Sequence, residues 1–185
     1  MASTPHTSAK IHRTEEIYRG SKFAFVLEKI TLPNGVDTEL AFVRHPGSAV
    51  IVPVFADKSI GLIKQFRHPV NDVIYEVPAG TMHPGEDPLH CAKRELEEET
   101  GTVAAEFIYL GWTYLLPAYT NERSYIYLAS RLTETAQNLD QTEIIETRRC
   151  SIQEVQDMID SGKLVDALSI LAITRAIRYL EQQEV

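Results

Sequence analysis

Four glutamates within five residues, Glu95, Glu97, Glu98 and Glu99, close the stretch GTMHPGEDPLHCAKRELEEETGT from Gly80 to Thr102 and constrain this chain more than any other feature. Gly80 reads as a turn. Asp87 followed by Pro88 predicts a helix start, with an N-cap acceptor and a proline at the first helical position. Gly101 predicts its end, because glycine tolerates the left-handed conformation of a C-cap. Between them Leu89, Ala92, Leu96 and Thr100 recur at helical spacing and are expected to face a core. Glu95, Glu98 and Glu99 stand at i, i+3 and i+4, so their carboxylates project from one neighbouring face. Such like-charge pairs oppose a helix by about 0.2–0.5 kcal/mol each. Carboxylates in the last turn also meet the negative end of the helix dipole. A hard divalent cation rewards this arrangement, since Mg2+ binds through a few carboxylates, waters and substrate phosphates. The plainer reading is a solvated acidic face, offset by Arg94 with Glu98 and Lys93 with Glu97.

A chain of 185 residues with 44% apolar content fits one globular domain, with or without a short arm. No apolar run approaches the ~18–20 residues that span a bilayer, so no membrane association is expected. The formal net charge of −8 argues against general nucleic-acid binding. Any anionic substrate would need cations or local arginines to reverse the field. Two cysteines, Cys91 and Cys150, make no disulfide framework, and a cytoplasmic protein with reduced thiols is the simplest account. Residues 1–12 lack an apolar signal-peptide centre and read as a disordered tail.

Residues 13–45 form a predicted N-terminal β region, with alternating strands from Ile17 to Val43 and a turn at Pro33-Asn34-Gly35. Residues 46–185 form the main domain. Two strands joined around Asp57-Lys58 precede a short strand leading to Gly80, and strand, loop and strand follow the acidic helix, the loop at Pro117–Glu122. After an acidic loop and a further strand, Ser151 and Glu154 predict a capping box for a helix ending near Ser161-Gly162. A last helix is predicted from Ala167 to Gln182. This order indicates a mixed α+β fold with helices packed on a sheet.

The glutamate stretch resembles the Nudix box: Gly, five residues, Glu, seven residues, Arg-Glu, an aliphatic, any residue, Glu-Glu, any residue, Gly, an aliphatic. Gly80, Glu86, Arg94, Glu95, Leu96, Glu98, Glu99 and Gly101 stand at the required spacing, and Thr102 departs from the final aliphatic. The resemblance implies an α/β/α sandwich with a mixed sheet, and hydrolysis of a nucleoside diphosphate linked to another moiety. Smaller matches are similar to the ADP-ribose pyrophosphatase subfamily: Arg67 in KQFRHPV, the VPAG before the box, Pro117 sixteen residues beyond Gly101, and Asp166 with Ser169. They imply hydrolysis of ADP-ribose to AMP and ribose 5-phosphate. Another sugar nucleotide such as GDP-mannose, or a nucleotide-sensing module without catalysis, are the alternatives.

The resemblance also implies roles for residues. Glu95, Glu98, Glu99, Glu143 and the backbone carbonyl of Ala79 are the expected ligands of Mg2+, with Mn2+ as a substitute. Arg94 either orients a glutamate, with Glu86 as partner, or makes a simple helix ion pair. Arg67 is expected to grip two oxygens of the diphosphate. Tyr119 and Glu122 are expected at the terminal ribose, and Tyr18, Phe23 or Phe25 at the adenine. Gln141 stands where an acidic residue is often found, and an amide accepts no proton, so Glu143, Asp140 or a hydroxide held by the cation is the expected base. Glu98, Glu99, Glu143 and Arg94 are thus the expected catalytic group. A homodimer in which the N-terminal strands reach the partner is a further expectation. Cys91 reads as a packing residue.

Overall fold

The structure, a computed structural model, describes residues 8–139, 141 and 143–183. The chain divides into two compact units. One runs from the N-terminus through Pro46 and includes Leu116–Glu122; the other comprises Gly47–Leu115 and everything from Arg123 onward.

The first unit is a three-stranded antiparallel sheet of β1 (Lys10–Arg19), β2 (Ala24–Thr31) and β3 (Asp37–Arg44), in that order. β2 and β3 are joined by the expected turn, where Gly35 takes φ 85° and its N–H donates to the Leu32 carbonyl. Alternation buries Ala24, Val26 and Ile30 of β2. β1 begins inside the stretch expected to be a tail, and it is exposed along its whole length. Residues 1–7 of that expected tail lie outside the described residues. Segment Leu116–Glu122 joins this unit through the Val43 N–H, which donates to the Tyr119 carbonyl at 2.8 Å.

The second unit carries β4 (Ser48–Pro53), β5 (Ile60–Arg67), β6 (Asp72–Glu76), β7 (Ala79–Thr81), α1 (Pro88–Thr100), β8 (Thr102–Tyr114), β9 (Arg123–Glu134), β10 (Ile145–Cys150), α2 (Ile152–Asp160) and α3 (Ala167–Gln182). The turn at Asp57-Lys58, with Lys58 at φ 66°, hands the chain from one sheet to another. β4 belongs to the order β7-β4-β9-β8, and β5 to β10-β5-β6. β4 pairs parallel with β9 and antiparallel with β7, so the larger sheet is mixed.

β4 is buried throughout, and its alternation feeds two cores. Ala49 and Ile51 pack with Cys91, Ala92 and Leu96 of α1. Val50 and Val52 pack with Ile60 and Leu62 of β5, Val155 and Met158 of α2, and Ala172, Ile173 and Ala176 of α3. Helices therefore cover both faces of the strand, the expected α/β/α layering. Among the described residues, no helix is long and apolar enough to cross a membrane. Ser151 caps α2 by accepting from the Glu154 N–H at 3.1 Å, but the Glu154 carboxylate turns to Arg148 instead of closing the box.

Candidate active site

Helix α1 starts and stops where its caps predict. Asp87 Oδ1 accepts from the Leu89 N–H at 2.9 Å and the His90 N–H at 3.3 Å, and Gly101 takes φ 60°. Ala92 and Leu96 are fully buried, while Leu89 and Thr100 lie at the margin of that face. A second buried line runs beside it at four-residue intervals through Cys91, Glu95 and Glu99. Two acidic side chains are thus drawn below the surface.

What they rest on is β7. Gly80 makes no turn; it is a strand residue opposite Ala49. A Cβ placed on it would lie 1.8 Å from Cδ of Glu95. Glycine is required here for close approach, with the carboxylate lying directly on the strand backbone. One residue earlier, the Ala79 N–H donates to Glu99 Oε2 at 3.0 Å.

Burial raises the carboxyl pKa of Glu99 to about 8, with Glu95 and Glu143 adding to the shift and the Ala79 N–H and Arg67 opposing it. Burial likewise raises Glu95; Arg94 opposes, and Glu98 and Glu143 reinforce. Glu143 therefore shares the field of the α1 carboxylates, two residues before the Ile145–Gln65 pair of β10 and β5. Gln141 is exposed, and Asp140 lies outside the described residues.

Arg94 combines both roles considered for it. Its Nη1 donates to Glu95 Oε1 at 2.6 Å and to Glu98 Oε2 at 3.0 Å. Its Nε and Nη2 each meet Glu86 at 3.1 Å, and Nη2 also reaches the Thr81 carbonyl at 3.2 Å. The Arg94 pair holds Glu86 down at about 2, with burial opposing and the His83 N–H assisting. Cys91 is a packing residue, as expected: burial and the nearby Glu95 push its thiol up to about 12.

Arg67 is anchored by a part-buried ion pair. Its Nε and Nη2 fork onto Glu76, at 3.0 Å and 2.6 Å, and its Nη1–Nη2 edge lies outside that pair. Glu76 was not singled out by sequence, where it is one acidic residue at a strand end. Gln137 and Asn138 likewise carry no signal in the sequence. Gln137 Nε2 donates to the Glu99 carbonyl at 2.5 Å and the Asn138 N–H to the Glu98 carbonyl at 3.0 Å, tying the loop after β9 to the end of α1.

Tyr119 and Glu122 belong to the first unit. Tyr119 is exposed, and a Glu122 carboxylate oxygen stands 3.9 Å from Nδ1 of His45. Tyr18, Phe23 and Phe25 are exposed as well, which is unlike ordinary sheet packing.

Glu86, Glu95, Glu98, Glu99 and Glu143 outnumber the cations near them, because Arg94 is shared among three carboxylates and Arg67 is spent on Glu76. An all-oxygen donor set with surplus negative charge at a part-buried place fits a hard divalent cation. Among the described residues, no three His, Cys, Asp or Glu side chains converge as a ready-made cage.

Comparison with known proteins agrees with this geometry. Residues 45–168 match the NUDIX domain. An ADP-ribose pyrophosphatase of Bacillus subtilis (strain 168) is 33% identical over 172 residues, 92% of this chain and 91% of that protein. A methanol dehydrogenase activator of Bacillus methanolicus is 31% identical over 177 residues, 95% of this chain and 94% of that protein. A solved structure described as an ADP compounds hydrolase superposes with a TM-score of 0.82 over 98% of both chains at 21% identity, a likeness of fold. With its carboxylate helix, its glycine-floored strand and these relatives, the chain belongs to the Nudix family and is a Nudix pyrophosphohydrolase.

Proposed function

We propose that this enzyme hydrolyses the diphosphate bond of ADP-ribose to AMP and ribose 5-phosphate, with Mg2+ as cofactor and Mn2+ as a substitute. The observation that carries the reading is the pair of buried carboxylates, Glu95 and Glu99, set on the backbone of β7 with more negative charge around them than Arg94 balances. The name of the Bacillus subtilis relative and the Pro117–Glu122 loop support ADP-ribose as the substrate.

In this reading Glu95, Glu98, Glu99 and Glu143, with the Ala79 carbonyl, hold the cation. When bound, it neutralises phosphate charge and acidifies a water. Arg94 keeps Glu95 and Glu98 aimed by charge-assisted hydrogen bonds. Arg67 offers Nη1 to a phosphate oxygen while Glu76 fixes the plane of its guanidinium. Glu143 takes the proton of the attacking water as the new P–O bond forms and the bridging P–O bond breaks. Tyr119 and Glu122 bind the terminal ribose.

The exposed apolar residues Ile17, Tyr18, Phe23 and Phe25 support a homodimer built through residues 13–45, with the hydrolase domain in residues 46–185. Two buried free thiols support residence in the cytoplasm.

The test is a panel of nucleotide sugars incubated with Mg2+, following release of AMP or GMP. ADP-ribose is expected to turn over fastest, EDTA to abolish turnover, and Glu99→Gln to lower kcat at least a hundredfold. Binding without turnover overturns the catalytic reading. GDP-mannose cleaved well ahead of ADP-ribose overturns the substrate.

A further inference from the structure

The segment from Glu76 to Gly80 carries three contacts of the site. Glu76 grips Arg67, the Ala79 N–H donates to Glu99, and Gly80 lies under Glu95. Only Val77 and Pro78 separate the first contact from the second. Proline has no N–H, so the single amide hydrogen in this link belongs to Val77. Val77 is buried, and its N–H is donated to the hydroxyl oxygen of Ser169, 92 residues onward in α3, at 3.0 Å. On the other side the Pro78 carbonyl accepts from the Ile51 N–H of β4 at 2.8 Å.

Ser169 is itself buried, and its hydroxyl has one hydrogen to give. It gives that hydrogen to Asp166 Oδ2 at 2.6 Å, which turns an oxygen lone pair toward Val77. Capping of α3 does not need this hydroxyl, because the same Asp166 oxygen accepts from the Ser169 N–H at 2.7 Å. Removing the hydroxyl would leave the Val77 N–H buried without its partner, the costly way to lose a hydrogen bond. Asp166 also acts electrostatically on both Arg67 and Glu76.

We infer that Ser169, held by Asp166, is a positioning residue that pins the Glu76–Gly80 segment to α3 and thereby sets the carboxylate site. The inference rests on the reading of that cluster as the metal and diphosphate site.

The experiment compares wild type with Ser169→Ala, Ser169→Thr and Ser169→Cys. It measures amide exchange at Val77 and Ala79 without metal, Mn2+ affinity by electron paramagnetic resonance, and kcat and KM for ADP-ribose. Ser169→Ala is expected to speed exchange at both amides at least tenfold and leave β8 and β9 unchanged. Mn2+ affinity and kcat are expected to fall by about ten- to a hundredfold, with KM for ADP-ribose less affected. Ser169→Thr keeps the hydroxyl and is expected to restore all three. Unchanged exchange and Mn2+ affinity in Ser169→Ala, or a Thr variant as impaired as the Ala variant, overturns the inference. If Ser169→Ala does not fold, Ser169→Cys keeps the volume with a much weaker hydrogen-bonding group and is read by the same criteria. A wild type that neither binds Mn2+ nor turns over ADP-ribose sinks the reading of the site, while the exchange rates still decide whether Ser169 holds the segment.

Discussion

Gly80 and Glu95 are matched so closely that residue 80 has no room for a side chain: a Cβ there would fall 1.8 Å from both Cδ and Oε1 of Glu95. Glu95 has little freedom to retreat, because Arg94 holds the same Oε1 at 2.6 Å. Gly80→Ala is therefore expected to cost about 1–3 kcal/mol of stability, as overpacking does. Activity is expected to fall at least tenfold, because a displaced Glu95 no longer meets the productive geometry. Thermal unfolding and kcat measured on the same preparation check both parts.

Glu86 supplies a pH prediction. Its carboxyl pKa is depressed to about 2 in the folded chain, from an ordinary value of 4.5, chiefly by Arg94. A depressed carboxyl stabilises the fold above its unfolded pKa, and that contribution disappears as pH falls through the folded pKa. Wild type is thus expected to exceed Glu86→Gln by about 1–3 kcal/mol at pH 7, with the gap narrowing between pH 4.5 and pH 2. Urea unfolding of both proteins across that range measures the gap; a constant difference would refute the assignment.

Arg67→Lys tests the guanidinium on β5. A lysine ammonium cannot fork onto Glu76 and still present a nitrogen to substrate. We expect kcat/KM for the substrate to drop about ten- to a hundredfold while the melting temperature changes little. An intact kcat/KM would remove Arg67 from the substrate site.

Leu96 lies fully buried between two residues of the carboxylate line, packed with Ala49, Ile51 and Ala129. Leu96→Ala is expected to lose about 2–5 kcal/mol, from lost transfer energy and the cavity left behind. The urea midpoint reads this directly. An equal loss at the exposed Leu40 would show that the core is placed wrongly.

The elements most readable from sequence are those specified by neighbours along the chain. Asp87-Pro88 and Gly101 delimit α1 within the span expected of it, and the helical period of Ala167–Gln182 matches α3. The carboxylates of α1 were legible for the same reason, since an unfavourable local charge pattern implies a compensating partner. Contacts between distant segments leave no such trace. Ser169 meets Val77 across 92 residues and Gln137 meets Glu99 across 38, and neither belongs to a period or a cap that includes its partner. Gly80 suggests a turn where the structure has a strand, because a glycine forced by close approach looks the same in sequence as one forced by backbone angle. The start of β1 leaves no mark in the sequence, because a strand exposed on every residue has no buried alternation to announce it.

The antiparallel pairing of β7 with β4 has a consequence for how the chain finds its fold. Ala49 stands opposite Gly80, and the neighbours of Gly80 in sequence are Pro78, Ala79, Thr81 and Met82. A slip of one residue along β4 would bring Ala79 or Thr81 to this position, and a slip of two would bring Pro78 or Met82. Each carries a side chain where Glu95 must lie, so of these five alignments one alone lets α1 settle. The bare backbone at residue 80 thus ties the register of β7 on β4 to the seating of α1.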